Sequence, residues 1–127
     1  MTKYSGIWPV APTPFNQDGT IDLEGMKRVL DCLIDQGADG ICVLANFSEQ
    51  FLISDAEREV LARLSVEHVA GRVPLVVTIS HYATQIAVER AQFAKDLGAD
   101  IVMMMPPYHG ALLKGTPEQS FEQFAAV

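Results

Sequence analysis

The chain has 127 residues, 49% of them apolar and 20% charged, and 9 basic against 16 acidic side chains give a net charge of −7. That acid excess argues against nucleic acid and anionic membrane as partners. No run approaches the ~20 apolar residues of a membrane-spanning helix, and residues 1–10 lack the basic-then-apolar layout of a signal peptide. The two cysteines, Cys32 and Cys42, have no metal-ligand spacing and read as buried free thiols of a protein in the reducing cytoplasm.

The predicted elements alternate along the chain. An apolar run at 6–10 ends in Ala11-Pro12-Thr13-Pro14-Phe15 and reads as a strand. A helix follows, with Leu23, Met26, Leu30, Leu33 and Ile34 on one face and Gly37 as its stop. The run at 40–44 ends in Ala45-Asn46-Phe47-Ser48-Glu49. Ser54-Asp55-Ala56-Glu57 is a capping box that opens a second helix, with Val60, Leu61 and Leu64 on one side and a stop at Gly71. The third run, 74–78, ends in Ser80-His81-Tyr82. A third helix from near Thr84 buries Ile86, Ala87, Ala91, Ala94 and Leu97 and stops at Gly98. The fourth run, 100–105, ends in Pro106-Pro107-Tyr108-His109. Thr116-Pro117-Glu118-Gln119 starts a fourth helix with Pro at its first position, a capping Gln and an inward face of Phe121 and Phe124.

Continuous apolar runs are the mark of strands buried on both faces, which occur in parallel sheets. Gln36-Gly37-Ala38-Asp39-Gly40-Ile41 is echoed by Leu97-Gly98-Ala99-Asp100-Ile101-Val102. The recurring period of roughly thirty residues is one strand–crossover–strand unit. The fold class is therefore α/β, with four βα units. A flavodoxin-like sheet would normally carry a fifth unit. A complete (β/α)8 TIM barrel needs ~250 residues. The chain reads as residues 1–127 of a single TIM-barrel domain, its N-terminal half, with the site at the carboxyl ends of the strands.

The polar and aromatic residues at those ends are the candidates. Asn46 and Ser48 offer an amide, a hydroxyl and backbone N–H groups to an anionic substrate. Phe47 reads as a pocket wall, and Glu49 as a cap for loop amides or a site residue. His81 ends the third strand, where an imidazole can act as a general acid or be satisfied within its loop. Tyr108 is placed to pass a proton or to meet a neighbouring subunit. His109 is a weaker case of the same kind, and His68, inside a helix, reads as a surface residue. No grouping has metal-ligand spacing and no Gly-rich phosphate loop occurs, so neither metal nor cofactor is expected.

These motifs carry a resemblance. Gly6-Ile7-Trp8-Pro9-Val10-Ala11-Pro12-Thr13-Pro14-Phe15 with Asp18-Gly19, Gly37-Ala38-Asp39-Gly40 with Val43-Leu44 and Glu49, and Pro106-Pro107-Tyr108 together resemble the dihydrodipicolinate synthase / N-acetylneuraminate lyase family. The resemblance implies a (β/α)8 barrel that forms a lysine Schiff base with a small 2-keto acid, and a homotetramer. In the family that lysine lies on the sixth strand, beyond Val127; Lys3, Lys27, Lys95 and Lys114 do not match it. Asn46 and Phe47 replace both threonines of the family's Gly-Thr-Thr-Gly-Glu loop. Ala45-Asn46-Phe47-Ser48-Glu49-Gln50-Phe51 with Pro106-Pro107-Tyr108-His109-Gly110 is similar to the family's sugar-acid dehydratases. The resemblance thus implies dehydration of a 2-keto-3-deoxy sugar acid, with a pyruvate-dependent aldolase or synthase, or a half-barrel without activity, as the alternatives.

Overall fold

Short-range hydrogen bonds set the helix boundaries. In the computed structural model, which describes residues 4–106, 108–109 and 113–127 (backbone alone at 108, 109, 113 and 114), α1 spans Leu23–Asp35. The Asp22 carboxylate caps it by accepting from Gly25 N at 2.7 Å. Helix α2, Asp55–Val69, opens on the expected capping box: Ser54 N donates to Glu57 Oε2 at 2.8 Å and Glu57 N to Ser54 Oγ at 3.3 Å. It turns out of the helix at Ala70, already left-handed at φ 49°, one residue before the expected glycine. Helix α3, Thr84–Leu97, ends on Gly98 at φ 95°, a conformation that favours glycine. Helix α4, Pro117–Ala126, has Thr116 and Gln119 as its reciprocal cap.

Three strands lie parallel in chain order: β1 (Ile41–Val43), β2 (Leu75–Thr78) and β3 (Ile101–Met103). Val43 pairs with Val77 and Thr78 with Met103, so all three strands finish at the same edge. The first apolar run, 6–10, is not a full strand. It joins β1 through a single parallel bridge between Val10 and Cys42, with Cys42 N donating to Pro9 O at 2.9 Å and Ala11 N to Cys42 O at 2.8 Å. Pro9, Pro12 and Pro14 have no N–H to give, and the ladder cannot extend through them. Trp8 packs flat against Gly40, where any Cβ would collide with its ring. Residues Tyr108–His109 (β4) and Leu113–Lys114 (β5) form a short antiparallel pair after β3.

Alternation along the strands divides their faces. Ile41 and Val43, with Leu75, Val77 and Ile79, pack with Met26 and Leu30 of α1, Leu61, Ala62 and Val69 of α2, and Ala94 of α3. Cys42 and Thr78 take the other face and touch each other, sulfur to oxygen, at 3.7 Å. Each fully buried aliphatic side chain in the helix–sheet layer contributes about 1.5–3 kcal/mol.

Several expected faces are corrected here. In α2 the inward stripe is Arg58, Leu61, Ala62, Ser65 and Val69, while Val60 is 48% exposed. In α4 the inward residue is Gln123, and Phe121 and Phe124 are 74% and 46% exposed. Cys42 is buried as a free thiol, and burial pushes its pKa up, but Cys32 is exposed on α1. His68 is half-buried, joining Arg72 in donating to the Asp31 carboxylate, at 2.9 and 2.8 Å, and so ties α1 to the end of α2. No helix among the described residues is long and apolar enough to cross a membrane.

The Arg72 hydrogen bond, opposed by partial desolvation and aided by His68, holds the Asp31 carboxyl below its ordinary value. A carboxyl depressed in the folded state stabilises it fully above the unfolded-state pKa of about 3.9 and loses that contribution as pH falls through the folded value. We therefore expect Asp31→Asn to destabilise the chain at pH 7, with the gap to wild type narrowing as the pH falls below about 4. Thermal melts across that range check this; a gap that stays constant with pH contradicts it.

Candidate active site

The segment after β1 is bent into a short 3-10 turn, Asn46–Ser48, between two non-glycine residues in left-handed conformation, Leu44 and Glu49, both at φ 60°. Such residues cost of order 1–3 kcal/mol each and persist only where their surroundings fix them. The fixing bonds are present. Ser48 Oγ donates to Ala11 O at 2.6 Å, and Thr13 Oγ1 donates to Ser48 O at 2.8 Å, both buried. Ser48 N and Gln50 N donate to Ala45 O at 3.0 and 3.3 Å, and Glu49 N donates to Asn46 O at 3.0 Å. The first amides of such a turn have no acceptor within it and point out of its start.

This turn meets the ends of the other strands. Asn46 Nδ2 donates to Met105 Sδ at 3.6 Å, and Met105 N donates to Ser80 Oγ at 2.9 Å. The strand ends at 46, 80 and 105 are thus linked in one contiguous rim. Asn46 is exposed on it, and Phe47 stands out at 69% exposure. Ser48 is 1% exposed, with its hydroxyl directed into the loop and away from the mouth. Glu49 is exposed and closes the turn through its backbone N–H.

His81 stands beside this rim with its ring turned differently. Its Nδ1 accepts from Ala83 N at 2.9 Å, leaving the proton of the neutral ring on Nε2. The ring lies 6.0 Å from that of Tyr82 and within electrostatic reach of Asp55 at the start of α2. The structure therefore joins the Asn46 turn to the Ser80–Met105 contact, and sets the His81 imidazole toward the α2–α3 side. The Tyr108 backbone pairs with Lys114. The Tyr108 and His109 side chains lie outside the described residues.

Side chains from the outer helices hold the strand end that carries His81, and sequence periodicity gave no sign of them. The Arg58 guanidinium donates to Thr78 O. Burial first, then the charge of Arg90, lowers the Arg58 pKa to about 10, with Asp55 opposing; it remains cationic at neutral pH. Arg90 donates to Ser80 O at 2.6 Å and to Asp55 Oδ1 at 2.7 Å, and that bond holds the Asp55 carboxyl low. Gln123 Nε2 donates to His81 O at 2.9 Å and to Tyr82 O at 3.4 Å. A cavity of about 220 Å³ lies between β2, α2 and α3, beside Arg58 and Arg90. It lies on the helix side, whereas the Asn46 turn and Met105 stand at the strand-end rim, and we take the rim as the site. Among the described residues no group of three or more His, Cys, Asp or Glu side chains is placed to hold a metal ion.

This rim can present backbone and amide N–H donors to an anionic or carbonyl oxygen, beside an aromatic wall. Comparison with known proteins identifies the family. Residues 3–127 match the dihydrodipicolinate synthetase family. Over 125 residues the chain is 54% identical to L-2-keto-3-deoxyarabonate dehydratase of Azospirillum brasilense, covering 98% of this chain and 40% of that protein. It is 35% identical over 115 residues to 4-hydroxy-tetrahydrodipicolinate synthase of Herminiimonas arsenicoxydans, covering 91% of this chain and 38% of that one. The crystal structure of N-acetylneuraminate lyase from Mycoplasma synoviae superposes with a TM-score of 0.90 at 28% identity, covering 98% of this chain and 43% of that one. The chain thus spans about 40% of the length of the curated relatives it matches. Its parallel strands and alternating helices are part of a (β/α)8 barrel, and the chain belongs to the dihydrodipicolinate synthetase family.

Proposed function

We propose that residues 1–127 are the N-terminal half of one barrel domain in a Schiff-base-forming hydro-lyase. Its substrate is a 2-keto-3-deoxy sugar acid: L-2-keto-3-deoxyarabonate, dehydrated to 2-oxoglutarate semialdehyde. The observation that carries this reading is the 54% identity to the Azospirillum dehydratase, against 35% to the synthase. The form of the Asn46 turn supports it, since an amide and a phenyl ring stand where the family's threonines would be. A cytoplasmic homotetramer without cofactor completes the proposal.

The chemistry needs one amine and a series of proton transfers. A lysine outside these residues condenses with the C2 ketone, releasing water. Lys27 and Lys95 lie in α1 and α3, away from the strand ends. The protonated imine acidifies C3, and loss of a C3 proton gives an enamine. The enamine expels the C4 hydroxyl, which takes up a proton and leaves as water. Tautomerisation toward C5 and hydrolysis of the imine give the semialdehyde and return the lysine, with net loss of one water from the substrate. The Asn46 side chain and the first amides of its turn hold the substrate carboxylate. Phe47 walls the pocket, Ser48 keeps the turn in shape, and Tyr108 moves a proton.

His81 has two readings. Through Nε2 it can protonate the departing C4 hydroxyl; the bond from Ala83 N favours a second role, as a cap for the start of α3. His81→Asn separates them, because an Asn side chain can accept the same amide but cannot shuttle a proton near neutral pH. We expect kcat to fall about 10²-fold with KM little changed if His81 is the acid. A kcat within about threefold of wild type assigns His81 to the cap alone.

Incubating the full gene product with L-2-keto-3-deoxyarabonate should yield 2-oxoglutarate semialdehyde. Pyruvate and glycolaldehyde in its place would make the protein an aldolase of the same family. Borohydride with pyruvate should trap the full product covalently and leave the 127-residue polypeptide unmodified; trapping of the short chain would place the lysine within it.

A further inference from the structure

Arg58 is only 6% exposed, and its bonds leave its charge unanswered. Its Nη2 donates to Thr78 O, a neutral acceptor, while Nη1 is buried and meets no hydrogen-bond partner. Buried cations are ordinarily paired with an anion, because an unpaired charge out of water is costly. Arg90 spends its two Nη groups on Ser80 O and Asp55 Oδ1, and its Nε is likewise buried without a partner. Both side chains line the cavity of about 220 Å³ between β2, α2 and α3. Two positive charges thus border it with one bonded carboxylate, that of Asp55, and the Arg90 charge acts on Arg58 unfavourably. Glu59 and Glu89 line the cavity too, but both are exposed, and among the described residues neither forms an ion pair with an arginine. We propose that this cavity is a binding site for a short-chain carboxylate, whose oxygens take the unpaired N–H groups of Arg58 and Arg90 and whose chain lies along Val77, Ile79 and Phe93.

The choice of ligand follows from the walls. Water can satisfy the free N–H groups, but it is neutral and does nothing for the charge of a buried guanidinium. The volume is several times the ~30 Å³ share of one water, with room for a few carbons besides a carboxylate. A planar carboxylate matches guanidinium N–H groups, and hydrogen bonds between ionised partners are the stronger kind. Apart from the charged side chains and Thr78, the lining is aliphatic and aromatic. A hydrated inorganic anion gains nothing from such walls, whereas an alkyl chain gains about 25 cal/mol for each Å² it buries. The cavity lies on the helix side of β2 and neither arginine belongs to the Asn46 turn, so this site does not depend on the reaction proposed above. It is joined to the rim all the same, since Arg58 and Arg90 also hold the carbonyls of Thr78 and Ser80.

Calorimetric titration of the full gene product with butyrate tests this. We expect saturable binding with a Kd on the order of 1 mM. 1-Butanol has the chain without the charge, and inorganic phosphate the charge without the chain; each should bind about tenfold more weakly or worse. Arg58→Met keeps most of the side chain's bulk and removes its charge. Ala62→Leu fills the cavity from α2 and leaves both arginines in place. Each should weaken butyrate by about tenfold or more, while Asn46→Ala leaves its Kd within about twofold. No saturation at about fifty times the expected Kd would overturn the proposal and leave the cavity to water. Butanol or phosphate binding as tightly as butyrate would overturn it too. So would butyrate binding that survives Arg58→Met and Ala62→Leu but is lost in Asn46→Ala, which would put that carboxylate at the rim. Should either cavity variant fail to fold, the ligand series on the wild type still decides.

Discussion

Two buried hydrogen bonds, from Ser48 Oγ to Ala11 O and from Thr13 Oγ1 to Ser48 O, are the constraint on which the site depends. They join the turn after β1 to a segment that the sheet grips at only one bridge, Val10 with Cys42. The 11–14 stretch has two prolines and few amides to offer a ladder, and the turn has left-handed residues at both ends. Side-chain hydroxyls supply what backbone pairing cannot. A serine and a threonine therefore do structural service here, and the rim is left to backbone amides, Asn46 and Phe47.

A second set of contacts reaches the rim from outside. Arg58 of α2, Arg90 of α3 and Gln123 of α4 between them hold the carbonyls of Thr78, Ser80, His81 and Tyr82. Carbonyls at the end of a parallel strand have no further ladder to join, and unpaired buried ones are costly. Three long side chains with donor ends answer that need, so α2 and α3 are each fastened both by an apolar stripe and by one polar anchor at the strand end, and α4 by its polar anchor. The helix layer consequently fixes where the loop after β2 stands relative to the turn after β1. This is how a barrel keeps residues from different βα units in register at one mouth.

Much of this was legible in the sequence, and the misses have physical reasons. The capping boxes at Ser54 and Thr116 were readable because all their partners lie within three residues. The parallel sheet was readable because continuous apolar runs have few other uses in a globular chain. The first run misled, since its apolarity is that of a strand while its prolines deny it a ladder. Gln123 was passed over for a related reason: apolar spacing gives a helix a face, and a polar side chain that reaches two carbonyls outside its own helix leaves no mark on that spacing. Arg58 was passed over because a charged residue is rarely buried unless it is paired, and its acceptor, Thr78 O, lies twenty residues away. At the rim, the positions of Asn46 and Ser48 after a strand were readable from the apolar run that precedes them. Their division of labour was not, because one serine serves a loop or a ligand with the same atoms.

The central claim is that the turn opening at Asn46 holds the substrate carboxylate at the end of β1. The most direct measurement is a crystal structure of the full gene product after borohydride reduction in the presence of pyruvate, with the pyruvyl group fixed on its lysine. The account predicts the carboxylate within hydrogen-bonding distance of the Asn46 side chain and the amides of residues 46 and 47, with Phe47 alongside. A carboxylate seated elsewhere, such as against Arg58 and Arg90 behind the sheet, would contradict it.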